Sequence, residues 1–262
     1  MDRWGGEARD WVDLSTGINP RAYPLPDLPA RAWTALPTLA DMDALIQAAR
    51  QAYRTGADVL PVAGAQAAIQ MMPFLRAPGV ARVLGPTYNE HAAALGAAGW
   101  QVETVGDVAA LAGADMAVVV NPNNPDGRVF TRDEVLALSG TVGDLVVDES
   151  FADPVPEISV AAAAGGNLVV LRSFGKFYGL AGVRLGFALG EVSRLGALAG
   201  PWPVSGAAIS IGQTALGDRD WAAAAVHRLR RDAARLDALA AEAGWTVAGG
   251  TELFRLYDTP DA

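Results

Sequence analysis

Three short runs constrain this chain more than anything else in it: Ala117-Val118-Val119-Val120, Leu145-Val146-Val147 and Leu168-Val169-Val170-Leu171. Each is apolar at every position, rich in β-branched side chains, and followed by polar or turn residues. A strand that alternates apolar and polar residues can leave one face in water, whereas a strand with no polar position needs cover on both faces. Strands of that kind belong to a parallel sheet layered between helices. Helical spacing is present too, as at Met42, Leu45, Ile46, Ala49 and Tyr53 within the stretch from Asp41 to Arg54. The expected fold class is α/β, with a mostly parallel central sheet flanked by helices. Ligands of such sheets bind beyond the carboxyl ends of the strands. Asn121, Asp148 and the pair Arg172-Ser173 follow those ends.

The last quarter reads differently. From Asp220 to Ala243 the spacing predicts one long helix, with Trp221, Val226, Leu229, Leu236 and Leu239 available for burial and Gly244 as its stop. Trp245-Thr246-Val247 and the run from Glu252 to Tyr257 read as two strands around Gly249-Gly250. Two strands bury too little surface to form a core of their own.

Composition narrows the function. The 262 residues carry 20 basic and 29 acidic side chains, a net charge of −9, which argues against a general nucleic-acid or anionic-membrane binder. There is no cysteine, so disulfides, zinc–thiolate sites and thiol nucleophiles are excluded together. His91 and His227 alone make a multi-histidine metal site unexpected. The stretch from Met1 to Glu7 has no apolar signal-peptide core. No run of about 18 apolar residues is present, so a soluble, cytoplasmic protein is expected.

One count stands out. Nineteen of the twenty basic residues are Arg, and Lys176 is the single Lys. Arg replaces Lys well as a surface charge, but not as a primary amine that must lose its proton and attack a carbonyl. Lys176 is therefore a candidate for chemistry.

Four segments surround that idea. Pro61 to Ile69 is a turn entering a helix, where the amides after Gly64 suit a phosphate. Asn121-Pro122-Asn123-Asn124-Pro125-Asp126-Gly127 is rich in turn formers yet directly follows a buried strand. Asp148-Glu149 follows another. A Mg²⁺-binding ATPase would need a GxxxxGK[ST] loop, and Lys176 is followed by Phe177. Asp148 is left as a buried partner of a cationic nitrogen, or as a plain strand-end cap. The fourth segment, from Leu171 to Phe187, sets Lys176 in a Gly-rich, aromatic loop, with Ser173 three residues before it and Arg184 eight after.

The ordered set Gly64, Tyr88, Asn124, Asp148, Ser173, Lys176 and Arg184 resembles the fold-type-I pyridoxal-phosphate enzymes, the aspartate aminotransferase superfamily, over residues 13–257. Within it the chain is similar to the branch of histidinol-phosphate aminotransferases and threonine-phosphate decarboxylases. The opening Asp13-Leu14-Ser15-Thr16-Gly17-Ile18-Asn19-Pro20 and the segment Asp148-Glu149-Ser150-Phe151 resemble the decarboxylases of cobalamin biosynthesis. The resemblance implies pyridoxal 5'-phosphate as cofactor and Lys176 as the residue bonded to its aldehyde carbon. Asp148 would pair with the ring N–H, Asn124 would donate to the ring hydroxyl oxygen, and Tyr88 would stack on the ring. Ser173, Arg184 and the backbone of Gly64, Ala65 and Gln66 would hold the phosphate. Gly17, Ile18 and Asn19 are substrate-side candidates. The implied reaction is decarboxylation of O-phospho-L-threonine to (R)-1-aminopropan-2-ol O-phosphate. The rivals are a histidinol-phosphate-type aminotransferase and a non-catalytic domain of the same fold.

The resemblance further implies a large cofactor-binding domain at 25–217, a small domain from 1–24 and 218–262, and a homodimer. Two departures bear on function. Phe151 stands where aminotransferases of this branch commonly have a Tyr that bonds the ring hydroxyl oxygen, which favours the decarboxylase. Leu36-Pro37 stands where relatives often have a Tyr reaching the partner's cofactor phosphate. The family pattern also runs past Ala262, to an Arg for the substrate carboxylate that Arg255 is too early to replace. The small domain is thus expected to be truncated, and these 262 residues to bind the cofactor but turn over poorly.

Overall fold

The computed structural model describes residues 5–7, 11 and 14–260. Asp13, at the head of the opening motif, lies outside them, as do the extreme ends of the 1–24 and 218–262 segments. The helices are α1 (Arg31–Thr34), α2 (Leu39–Tyr53), α3 (Ala65–Met71), α4 (Glu90–Ala97), α5 (Arg132–Ser139), α6 (Phe174–Phe177), α7 (Ser193–Ala199), α8 (Gly206–Gly217) and α9 (Arg219–Glu242). The strands are β1 (Val59–Val62), β2 (Val80–Leu84), β3 (Gln101–Val105), β4 (Met116–Val120), β5 (Asp144–Asp148), β6 (Leu168–Ser173), β7 (Gly186–Leu189), β8 (Thr246–Gly250) and β9 (Arg255–Asp258).

Seven strands form one sheet in the order β1-β7-β6-β5-β4-β2-β3. β3, β2, β4, β5 and β6 run parallel, and β7 is antiparallel to both β6 and β1. The three all-apolar runs are β4, β5 and β6, side by side at the centre. Successive side chains on a strand point to opposite faces. Accordingly Val119, Val147 and Val170 join one apolar layer with Leu45 of α2 and Ile209 of α8. Val118, Val146, Val169 and Leu171 join the other with Ile69 of α3 and Leu95 of α4.

Helix α2 starts at a capping box, in which Thr38 and Asp41 exchange side-chain-to-backbone hydrogen bonds. Helix α9 begins at Asp218, whose carboxylate accepts from the Trp221 N–H. The long-helix expectation holds, and Gly244 follows in the left-handed region. Leu236 and Leu239 differ from expectation in being exposed, because β9 meets α9 on the face of Asp237, which Arg255 and Tyr257 bond. β8 and β9 form a separate antiparallel pair. Gly249-Gly250 lies within β8 rather than at its turn, and the Gly250 N–H donates to the Asp126 carbonyl. Glycine is required there because β8 backbone lies against the 121–127 loop. Among the described residues no helix is long and apolar enough to cross a membrane.

Candidate active site

The alternation that builds the core also builds the site. Val120, Asp148 and Ser173 end β4, β5 and β6, and they have the parity of Val118, Val146 and Leu171. All three therefore face the α3–α4 side, and all three line one cleft of about 160 Å³. The same cleft is lined by Gly64, Ala65, Gln66, Tyr88, Asn124, Ser150, Phe151, Lys176 and Arg184. Every cofactor-side residue singled out from the sequence is thus gathered in one place.

Asp148 is buried and accepts three hydrogen bonds. Its Oδ2 pairs with Nε2 of His91 at 2.9 Å, and its Oδ1 accepts from the Ser150 N–H at 2.9 Å and the Ser150 hydroxyl at 2.5 Å. Burial alone would raise this carboxyl, but His91 and the two Ser150 donors outweigh it and hold the group below the usual carboxylate range. His91 sits on α4, three residues after Tyr88, and its ring lies edge-on to that of Tyr88. Tyr88 precedes the helix, so no helical spacing in the sequence marks His91.

Lys176 occupies the middle of the short helix α6, half-buried, with its ammonium 5.6 Å from the centre of the Phe151 ring. Burial and the nearby Arg184 charge lower its pKa, against an opposing pull from Asp148. The amine is therefore easier to deprotonate than an ordinary lysine. The loop is fixed from behind by Asn19. The Asn19 N–H donates to the Lys176 carbonyl, and its side-chain amide donates to the Phe177 carbonyl at 2.8 Å. Asn19 Oδ1 accepts from the Arg21 N–H and from Arg228 of α9. The side chain expected on the substrate side is thus committed to the protein. Gly17 lies against Phe151 and Phe254, where a Cβ would approach within 3.0 Å of both rings.

The opposite end of the cleft is cationic. Arg184 has left-handed backbone, and its Nη2 donates to the Ala63 carbonyl at 3.3 Å. Gly64 has φ +80°, and a Cβ on it would come within 2.7 Å of that guanidinium. The Tyr88 hydroxyl donates to Gln66 Oε1 at 3.3 Å, and Gln66 in turn donates to Glu90. Asn123, not Asn124, holds the loop together, bonding Pro86, Thr87 and Asp126. Asn124 is left to face the cleft.

Residues of the other parity do structural work on the far face. Arg172 bonds Glu149 and Asp153, each at 2.7 Å, and stacks 4.4 Å over the Tyr53 ring. Glu149 is fully buried and also accepts from Ser159 and the Val160 N–H. Adjacent residues Asp148 and Glu149, and Arg172 and Ser173, are thus split by the pleat between the cleft and the scaffold behind it.

Chemically, the cleft offers an amine of reduced basicity between a buried carboxylate and a guanidinium beside free amides. Residues 29–261 match the protein family described as aminotransferase class I and II. The chain is 48% identical to a threonine-phosphate decarboxylase of Pseudomonas aeruginosa, over 95% of this chain and 78% of that one. It is 47% identical to a threonine-phosphate decarboxylase of Sinorhizobium sp., over 99% and 81%. Its fold is similar to that of histidinol-phosphate aminotransferase from Sinorhizobium meliloti, solved in complex with pyridoxal-5'-phosphate, with a TM-score of 0.73 at 20% identity, covering 85% of this chain and 67% of that one.

Proposed function

The chain belongs to the aminotransferase class I and II family, and on that premise we propose that it is a pyridoxal 5'-phosphate-dependent lyase. Its substrate is O-phospho-L-threonine, its product (R)-1-aminopropan-2-ol O-phosphate, and its setting cobalamin biosynthesis in the cytoplasm. The observation that carries the reading is the meeting of the only lysine, a buried carboxylate and an arginine in one cleft. That donor set fits the cofactor. Gly64 leaves beside Arg184 the room a phosphate needs, and a Cβ would fill it.

When bound, the cofactor supplies a protonated ring that accepts the electron pair left at the substrate's Cα. Asp148 holds the proton on the ring nitrogen. Arg184, Ser173 and the amides after Gly64 grip the phosphate, with Arg able to do so bidentately. Asn124 donates to the ring hydroxyl oxygen, and Tyr88 covers one ring face from the lip of the cleft. Lys176 would be the attachment point for the cofactor aldehyde, and its amine would be the acid that supplies a proton to the substrate's Cα. Phe151 keeps a second phenol away from the ring hydroxyl. Gly17 and Ile18 border the substrate end, and Asn19 fixes the Lys176 loop.

Trp33, Leu36, Leu39 and Trp202 are exposed together, with Trp202 bonded to the Pro37 carbonyl. We read this apolar face as the contact of a homodimer. The reaction itself is tested with O-phospho-L-threonine and the loaded protein, with and without 2-oxoglutarate. Release of CO₂ with aminopropanol phosphate is expected. An oxo acid formed only with 2-oxoglutarate, without CO₂, would assign an aminotransferase instead.

A further inference from the structure

Asp148 has two oxygens and about four lone-pair directions. Three are already used, two on Oδ1 by Ser150 and one on Oδ2 by His91. The two Ser150 bonds differ in origin. The bond from the backbone N–H is the Asx turn that an Asp makes with the residue two positions on, and it would form with any side chain at 150. The bond from the hydroxyl exists only because residue 150 is Ser. That hydroxyl is buried with Asp148, lines the cleft, and makes its hydrogen bond to the carboxylate alone.

A carboxylate that accepts an additional charge-assisted bond is a weaker base toward its remaining partner. The remaining direction is the one open to a cofactor ring. We propose that Ser150 is a positioning residue whose hydroxyl, acting through Asp148, keeps the shared proton on the ring nitrogen and so sets how strongly the ring withdraws electrons. The inference rests on the reading that Asp148 faces that nitrogen. The effect of Ser150 is confined to the proton between Asp148 and the ring.

The test is to load the holoenzyme with cofactor labelled with nitrogen-15 in the ring and follow the ring-nitrogen resonance through a pH titration. In Ser150→Ala the turn survives but the hydroxyl bond is lost. The more basic Asp148 should then draw the shared proton toward itself, so that below the titration the ring-nitrogen resonance moves toward its unprotonated position, while the pair as a whole loses its proton up to about one pH unit higher than in the wild type. kcat should fall with KM little changed, and Ser150→Thr should restore both the resonance and kcat. If Ser150→Ala does not fold, Ser150→Cys, with its weaker donor, should give an intermediate titration. A variant that titrates like the wild type overturns the proposal, whatever happens to kcat. The underlying reading fails separately, if Asp148→Asn leaves the ring nitrogen as protonated as before.

Discussion

Replacing Arg172 with Met tests the division of labour between the two faces of β6. The substitution keeps length and apolar contact but removes the charge held by Glu149 and Asp153. The two acids do not suffer equally. Glu149 retains the Ser159 hydroxyl and the Val160 N–H. Asp153 has no other side-chain partner, and its Oδ2 is already unpaired and buried. Breaking a buried pair in this way costs about 3–5 kcal/mol. For a chain of this size that corresponds to roughly 6–20 °C in melting temperature, at about 2–4 °C per kcal/mol. Burial already raises the Asp153 carboxyl even with Arg172 in place, and without it the rise is larger. A carboxyl raised in the folded state favours folding below its unfolded value near 3.8, and that advantage is lost as pH climbs toward the folded value. The Arg172→Met deficit should therefore be small in acid and grow as pH rises. Urea unfolding of the apoprotein at several pH values measures it. Adding Asp153→Asn should return a large part of the loss at neutral pH. A deficit under about 1 kcal/mol, or one that Asp153→Asn leaves untouched, would refute the reasoning.

Other predictions follow from the cleft. Gly64→Ala forces a Cβ into a backbone region reserved for glycine and toward Arg184. It should weaken cofactor affinity by about tenfold or more, from strain of about 1–3 kcal/mol, read by fluorescence titration with the cofactor. The rate of cofactor capture should rise with pH below the usual lysine range. Arg184→Ala should shift that profile upward and Asp148→Asn downward, since the two charges act on Lys176 in opposite senses. Asn19→Ala removes the side-chain link between the Lys176 loop and Arg228. It should cost about 1–3 kcal/mol in unfolding and speed hydrogen exchange in the 173–180 loop.

Much of this was legible in the sequence because it rests on local signals. The all-apolar runs at 117–120, 145–147 and 168–171 announced a sheet covered on both faces, and that sheet's open end located Asp148 and Ser173. The lone Lys176 was visible by count. Partnerships across the fold were less legible. His91 reaches Asp148 over 57 residues of chain, and no local pattern marks it. Asn19 looked like a substrate ligand because it sits in a distinctive motif. Only the folded chain shows it behind the lysine loop, where its side chain bonds Phe177, Arg21 and Arg228. Leu236 and Leu239 have core spacing yet lie exposed, because periodicity tells which residues share a helix face but not whether another element covers it.

The central claim is that this cleft presents its single lysine to a cofactor aldehyde. Borohydride reduction of the cofactor-loaded protein, followed by intact mass and peptide mapping, tests it most directly. The account predicts one cofactor adduct per chain, on the peptide containing Lys176, and none in Lys176→Ala. An adduct that persists in Lys176→Ala, or a loaded wild-type protein that yields none, would contradict it.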